Sequence, residues 1–106
     1  MADLPAKGST LAIYQQYLRD EFKERGFDTE SVEQKFMLFV EEVGEFSKAI
    51  RKQADIQYAE DSKTRDLEAE AGDVLILFLD ICNQLGIGAE DALRNKELRN
   101  KQRNWA

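Results

Sequence analysis

After Pro5 the chain contains no proline, and its apolar residues recur at helical rather than strand spacing. Proline is the strongest helix breaker, so everything downstream is free to run as long helices interrupted only by glycines. Four helices and no strand are predicted. The first runs from about Ser9 to Arg25, with Ser9 or Thr10 as N-cap and Leu11, Tyr14, Leu18 and Phe22 as its apolar stripe. Gly26 is placed to end it. The second runs from about Val32 to Gln53. Ser31 and Gln34 match a capping box, and Val32, Phe36, Phe39, Val43, Phe46 and Ile50 form a broad core face.

The stretch from Ala54 to Lys63 is polar and reads as a loop or a frayed helical extension. The third helix runs from about Thr64 to Leu85 and is broken by Gly86-Ile87-Gly88, and the fourth runs from about Ala89 to Asn104. The expected fold is therefore all-α and four-helix bundle-like, a single domain over 1–106 with 1–8 as a flexible leader. From Val74 to Cys82 the third helix is apolar nearly all the way round. A helix hydrophobic on every side is buried on every side. A domain this small cannot easily enclose one, so a second subunit is expected to cover part of it.

Two acidic motifs interrupt this pattern: Glu41-Glu42-Val43-Gly44-Glu45 and Glu70-Ala71-Gly72-Asp73. Residues at i and i+3 are neighbours on a helix face. Glu42 and Glu45 lie on a line with Leu38 and Ala49, while Glu70 and Asp73 lie on a line with Asp66, Leu77 and Asp80. A solvated face would not interleave acids with leucines in this way, and it would show Glu–Lys pairs at i,i+4. Glu41–Glu45 and Asp66–Glu70 are instead like-charged pairs, which are mildly destabilising. On facing helices the two motifs would gather four carboxylates around one point, an arrangement that suits a hard divalent ion such as Mg²⁺. Gly44 and Gly72 add to this, because a mid-helix glycine costs ~1 kcal/mol and often marks close approach of another backbone or a ligand.

Composition limits the alternatives. The chain has 106 residues and a net charge of −6, with 34% charged and 42% hydrophobic residues. One modest core is within reach, and a general nucleic-acid binder, which would show a basic face, is disfavoured. No apolar run approaches the ~20 residues of a membrane span. Met1 to Gly8 lacks a signal-peptide core, so a cytoplasmic location is the expectation. With no histidine in the chain, Ser-His-Asp and Cys-His sites, H-E-x-x-H zinc sites and the Glu-x-x-His di-iron pattern are excluded. The one cysteine, Cys82, sits in an apolar run and reads as a small buried hydrophobe.

The pattern Glu41-Glu42-x-x-Glu45, then Glu70-x-x-Asp73, resembles the MazG-like all-α nucleoside triphosphate pyrophosphohydrolases. So do the flanks Phe39-Val40 and Val74-Leu75-Ile76, the break at Leu85-Gly86-Ile87 and the basic helix beyond it, over roughly residues 30 to 104. The resemblance implies a helical bundle assembled as a homodimer or a dimer of dimers. It also implies Mg²⁺-dependent hydrolysis of a (deoxy)nucleoside triphosphate between the α and β phosphates, in a housecleaning or pool-control role, with Mn²⁺ as a possible substitute ion. Carried over by position, Glu42, Glu45, Glu70 and Asp73 would be the metal ligands. Glu41 would hold a second ion or orient the attacking water.

The phosphate charge calls for basic partners. Lys96, Asn100 and Arg103 fall at i, i+4 and i+7 on the fourth helix, flanked by Arg99, and resemble the family's phosphate-contacting set. The plainer alternative is that these cations suit a helix C-terminus. Lys35, two turns before Glu42, is a further candidate, set against a lysine that snorkels past the core. Asp80 and Asn83 continue the Glu70–Asp73 stripe and are candidates for sugar or base, with a salt bridge or a solvent-facing position as the alternative for Asp80. Tyr14, Tyr17 and Phe36 are candidates for base stacking or, more simply, core, and Trp105 for a C-terminal packing anchor. Two other functions stay open. One is the related phosphoribosyl-ATP pyrophosphohydrolase, disfavoured because no tyrosine-histidine pair follows Asp73. The other is a non-catalytic helical interaction module with a structural metal site.

Overall fold

The computed structural model describes residues 2–55 and 60–103, with the side chains of all of these except 55 and 60–65. Four helices stand among the described residues: α1 Leu11–Glu24, α2 Val32–Asp55, α3 Glu60–Leu85 and α4 Ala89–Lys101. No strand is present among them. Among the described residues no single helix is long and apolar enough to cross a membrane.

Local chemistry sets the helix ends. Thr10 rather than Ser9 caps α1, its hydroxyl accepting from the Ile13 N–H at 3.2 Å. At the other end Gly26 takes a φ of +76°, which only glycine adopts without strain. There the Phe27 N–H donates to the Phe22 carbonyl at 2.7 Å and the Gly26 N–H to Lys23 at 3.2 Å. These are the two bonds of a Schellman motif, and the accompanying apolar contact is an edge-on pairing of Phe22 with Phe27 at 5.8 Å. α3 closes the same way around Gly86, with φ +71°, the Ile87 N–H donating to Cys82 at 2.9 Å and the Gly86 N–H to Asn83 at 3.3 Å. The capping box at the start of α2 is reciprocal. The Gln34 N–H donates to the Ser31 hydroxyl at 3.1 Å, and the Ser31 N–H to the Gln34 side-chain oxygen at 2.8 Å.

Three boundaries differ from the expected positions. The polar stretch after Gln53 continues α2 to Asp55, and α3 begins at Glu60 rather than near Thr64; the segment carries neither proline nor glycine to stop a helix. α4 ends at Lys101, closed by the Gln102 N–H on Arg99 at 3.1 Å and the Arg103 N–H on Asn100 at 3.1 Å. Asn104 and Trp105, assigned a helix end and an anchor from the sequence, lie outside the described residues.

The chain divides into two compact units, Met1–Thr29 with Cys82–Ala106, and Glu30–Ile81. In the first, Leu18, Phe22, Cys82 and Ala89 are buried, and each large apolar side chain so buried contributes ~1.5–3 kcal/mol. Two polar side chains are buried with them. Glu21 is 1% exposed; it accepts from the Ala2 N–H at 2.9 Å and lies 3.4 Å from Arg25 Nη2. Gln15 is fully engaged. Its amide nitrogen donates to Asn83 Oδ1 at 3.0 Å and to the Ile87 carbonyl at 2.9 Å, and its oxygen accepts from the Ala89 N–H at 2.9 Å. The last bond caps α4, whose N-cap Gly88 has no side chain to do so.

In the second unit α2 and α3 run in opposite directions. Phe39 meets Phe78 with ring centroids 6.2 Å apart, and Lys35 forms an ion pair with Asp80. The predicted core face of α2 is divided: Val32, Phe39 and Phe46 are half-buried, whereas Phe36, Val43 and Ile50 are 54%, 41% and 49% exposed. The apolar girdle of α3 is divided. Leu79 and Ile81 are buried, whereas Leu75, Ile76 and Phe78 are exposed. Two helices have only one mutual seam, so apolar residues off that seam find no cover inside this unit.

Candidate metal centre

α2 carries Glu41, Glu42 and Glu45, and α3 carries Glu70 and Asp73. The structure brings three of the five together: carboxylate oxygens of Glu42, Glu70 and Asp73 lie within 4.8 Å of one another. Glu42 and Glu70 are half-buried and Asp73 is exposed. Glu70 Oε2 is buried and has no hydrogen-bond partner among the described residues. A carboxylate oxygen withdrawn from water without a donor is costly, and a second and third carboxylate beside it raise that cost.

The electrostatics agree. Partial burial, and then the charges of Asp73, Glu70, Glu45 and Glu41, push the Glu42 carboxyl above its ordinary value. Burial and like charge both disfavour the charged form, and a bound cation would offset the repulsion. An all-carboxylate donor set with no nitrogen or sulfur suits a hard cation such as Mg²⁺ or Mn²⁺. The residues present therefore fit the ion that their spacing suggested.

Glu45, expected as a fourth ligand, stands outside the 4.8 Å group although its charge reaches Glu42. Its side chain is exposed, as is that of Glu41, and among like charges an exposed carboxylate turns toward water. Gly44 and Gly72 do not mark a close approach among the described residues, where a Cβ at either would meet nothing within 4 Å.

The predicted substrate-binding residues separate into two groups. Lys35 is neither a solvated nor a snorkelling lysine: it is 2% exposed and paired with Asp80, itself 5% exposed. Asp80 is correspondingly not a solvent-facing end of its stripe. Asn83 is held by Gln15 on both faces of its amide, accepting from Gln15 Nε2 at 3.0 Å and donating to the Gln15 carbonyl at 2.9 Å, with Arg19 Nη2 at 3.2 Å. All three side chains are engaged by intrachain partners. Lys96 and Arg103 are exposed, and Asn100 donates to Glu97 at 3.3 Å. Because α4 stops at Lys101, Arg103 lies beyond the helix rather than on one face with Lys96 and Asn100. Tyr14 and Tyr17 are half-buried, and Phe36 stacks on Phe39 with centroids 6.1 Å apart.

Sequence reasoning overlooked Gln15. The available signal was its place on the line Leu11, Gln15, Leu18, Phe22, where an amide stands at an otherwise apolar position.

Compared with known proteins, the chain matches the family model of the MazG nucleotide pyrophosphohydrolase domain over residues 30–104. That span takes in α2, α3 and α4, and with them all five acids. No curated protein matches the chain.

Proposed function

Since the chain belongs to the MazG nucleotide pyrophosphohydrolase domain family, we propose that it hydrolyses (deoxy)nucleoside triphosphates between the α and β phosphates, releasing a nucleoside monophosphate and pyrophosphate. The observation that carries this reading is Glu70 Oε2, buried without a hydrogen-bond donor beside the carboxylates of Glu42 and Asp73. Such an oxygen is satisfied by a cation.

Glu42, Glu70 and Asp73 would hold Mg²⁺, or Mn²⁺ in its stead, with Glu45 joining from the next turn. The ion supplies neutralisation of phosphoryl charge and a water of lowered pKa. The chain's own residues do the rest. Glu41, exposed beside the trio, accepts the proton of the attacking water. Glu42 is kept by α2 beside Glu70 and Asp73. Lys96, Asn100 and Arg103 take the remaining phosphate charge. Lys35, Asp80 and Asn83 drop out of the substrate set because Lys35 and Asp80 are buried in their ion pair and Asn83 is held part-buried by Gln15.

The assembly is a homodimer or dimer of dimers. Its support is the apolar surface left open on α2 and α3, with Met37 and Val40 68% and 53% exposed and Leu75 51% exposed. The enzyme acts on free nucleotides in the cytoplasm, in a housecleaning or pool-control role, and its acidic net charge of −6 speaks against nucleic acid as a partner.

The test is pyrophosphate release from a panel of ribo- and deoxynucleoside triphosphates, with and without Mg²⁺, beside Asp73→Ala. Mg²⁺-dependent release with a monophosphate co-product, lost in the variant, is the expected result. A folded protein that releases pyrophosphate from no triphosphate overturns the proposal.

A further inference from the structure

On α2, Lys35 precedes Glu42 by seven residues, and on α3, Asp80 follows Asp73 by seven. Seven residues are close to two helical turns, ~10.5 Å along each axis and ~20° from the same face. The buried Lys35–Asp80 pair and the acidic trio are therefore one antiparallel register sampled twice, with the Phe39–Phe78 contact at 6.2 Å between them.

Most of the residues between these two points are apolar: Phe36 to Val40 on α2 and Val74 to Leu79 on α3. Apolar contact is non-directional, so exchanging one leucine or phenylalanine for another costs little when a helix slides. The ion pair is different. A slip of one turn, ~5.4 Å, would part Lys35 from Asp80 and break a buried ion pair, which is strongly unfavourable. The same slip would carry Glu42 away from Asp73. Net stability is a poor reason for a buried ion pair, whereas fixing a register is the best-attested one.

We propose that Lys35 and Asp80 are positioning residues: their buried ion pair locks the α2–α3 register that holds Glu42 against Glu70 and Asp73. Their link to metal affinity rests on the reading of that trio as the metal centre. The lock itself does not.

The experiment measures the register directly. Spin labels at the exposed positions Glu33 and Glu68, offset by ~20 Å along the helix axes in this register, in a Cys82→Ala background and diluted into unlabelled chains, report the distance between α2 and α3 within one chain. Binding of Mn²⁺ alone is followed by the resonance of the free ion. Lys35→Met/Asp80→Leu removes the charges at similar volume. It is expected to retain its helices and to add a second distance population displaced by about one turn, ~5.4 Å, with ~10-fold weaker Mn²⁺ binding. The exchange Lys35→Asp/Asp80→Lys is expected to restore one distance and the parent affinity. A single, parental distance in the apolar variant overturns the proposal. Should that variant not fold, a folded exchange variant with two distances overturns it equally. A parent protein that binds no Mn²⁺, alongside the expected change in distances, overturns the metal reading and leaves the lock standing.

Discussion

The side-chain oxygen of Gln15 accepts the backbone N–H of Ala89 at 2.9 Å, so a residue of α1 caps a helix that begins 74 positions later. The same amide donates to the Ile87 carbonyl and to Asn83, so its nitrogen and its oxygen are both engaged. Gln15→Leu keeps the volume and removes all three bonds. It should lower stability by about 1–3 kcal/mol, the cost of leaving buried donors and acceptors unpaired, seen as a lower urea midpoint with an unchanged slope. A midpoint equal to the parent's would contradict the role given to Gln15.

Glu70→Gln removes one charge from three carboxylates within 4.8 Å. In the metal-free protein this relieves repulsion of order 1 kcal/mol and should raise the thermal midpoint. Mg²⁺, which should stabilise the parent, should then have little effect. Pyrophosphate release should fall ~100-fold or more, since a catalytic cation supplies several kcal/mol of charge stabilisation. Parallel stabilisation of parent and variant by Mg²⁺ would place the ion elsewhere.

The pH dependence follows from Glu42, whose carboxyl is raised above its ordinary value of 4.5 by burial and then by Asp73, Glu70, Glu45 and Glu41. The folded form thus holds its proton more tightly than the unfolded form. This contribution to stability is present in full below the unfolded value and is lost as pH rises through the raised folded value. Metal-free protein should lose stability on going from below pH 4.5 through that window, and Glu42→Gln should flatten the loss. Mg²⁺ competes with the proton, so its stabilising effect should grow with pH over the same range. Chemical denaturation at a series of pH values, with and without Mg²⁺, measures both.

Among the described residues nothing lies within 4 Å of the Cβ that Gly72 lacks. In a helix interior Gly72→Ala should stabilise the chain by ~1 kcal/mol, readable in the thermal midpoint. If a second copy or the nucleotide seats against this glycine, the same variant will instead lose assembly, measured by light scattering, or raise the KM.

What the sequence by itself determined is local. Ser31 and Gln34, Gly26 with Phe27, and Gly86 with Ile87 set helix ends through bonds spanning a few residues, so their effect can be read without knowing the fold. The pairing of acids at i,i+3 was equally legible, because helical spacing alone puts Glu42 beside Glu45 and Glu70 beside Asp73. The match to the family over residues 30–104 spans both acidic pairs.

Only the tertiary structure decided which partners meet across helices. It joined Glu42 to Glu70 and Asp73 while Glu45 remained in solvent. It turned Lys35 and Asp80, two candidates for substrate, toward each other, and it gave Gln15 to Ala89. It also left Phe36, Val43 and Ile50 exposed on a face that the periodicity assigned to the core. Periodicity reports which residues share a face of one helix; what that face meets depends on where the next helix lies. That position is set by the summed packing of residues far apart in sequence, and no local spacing encodes it.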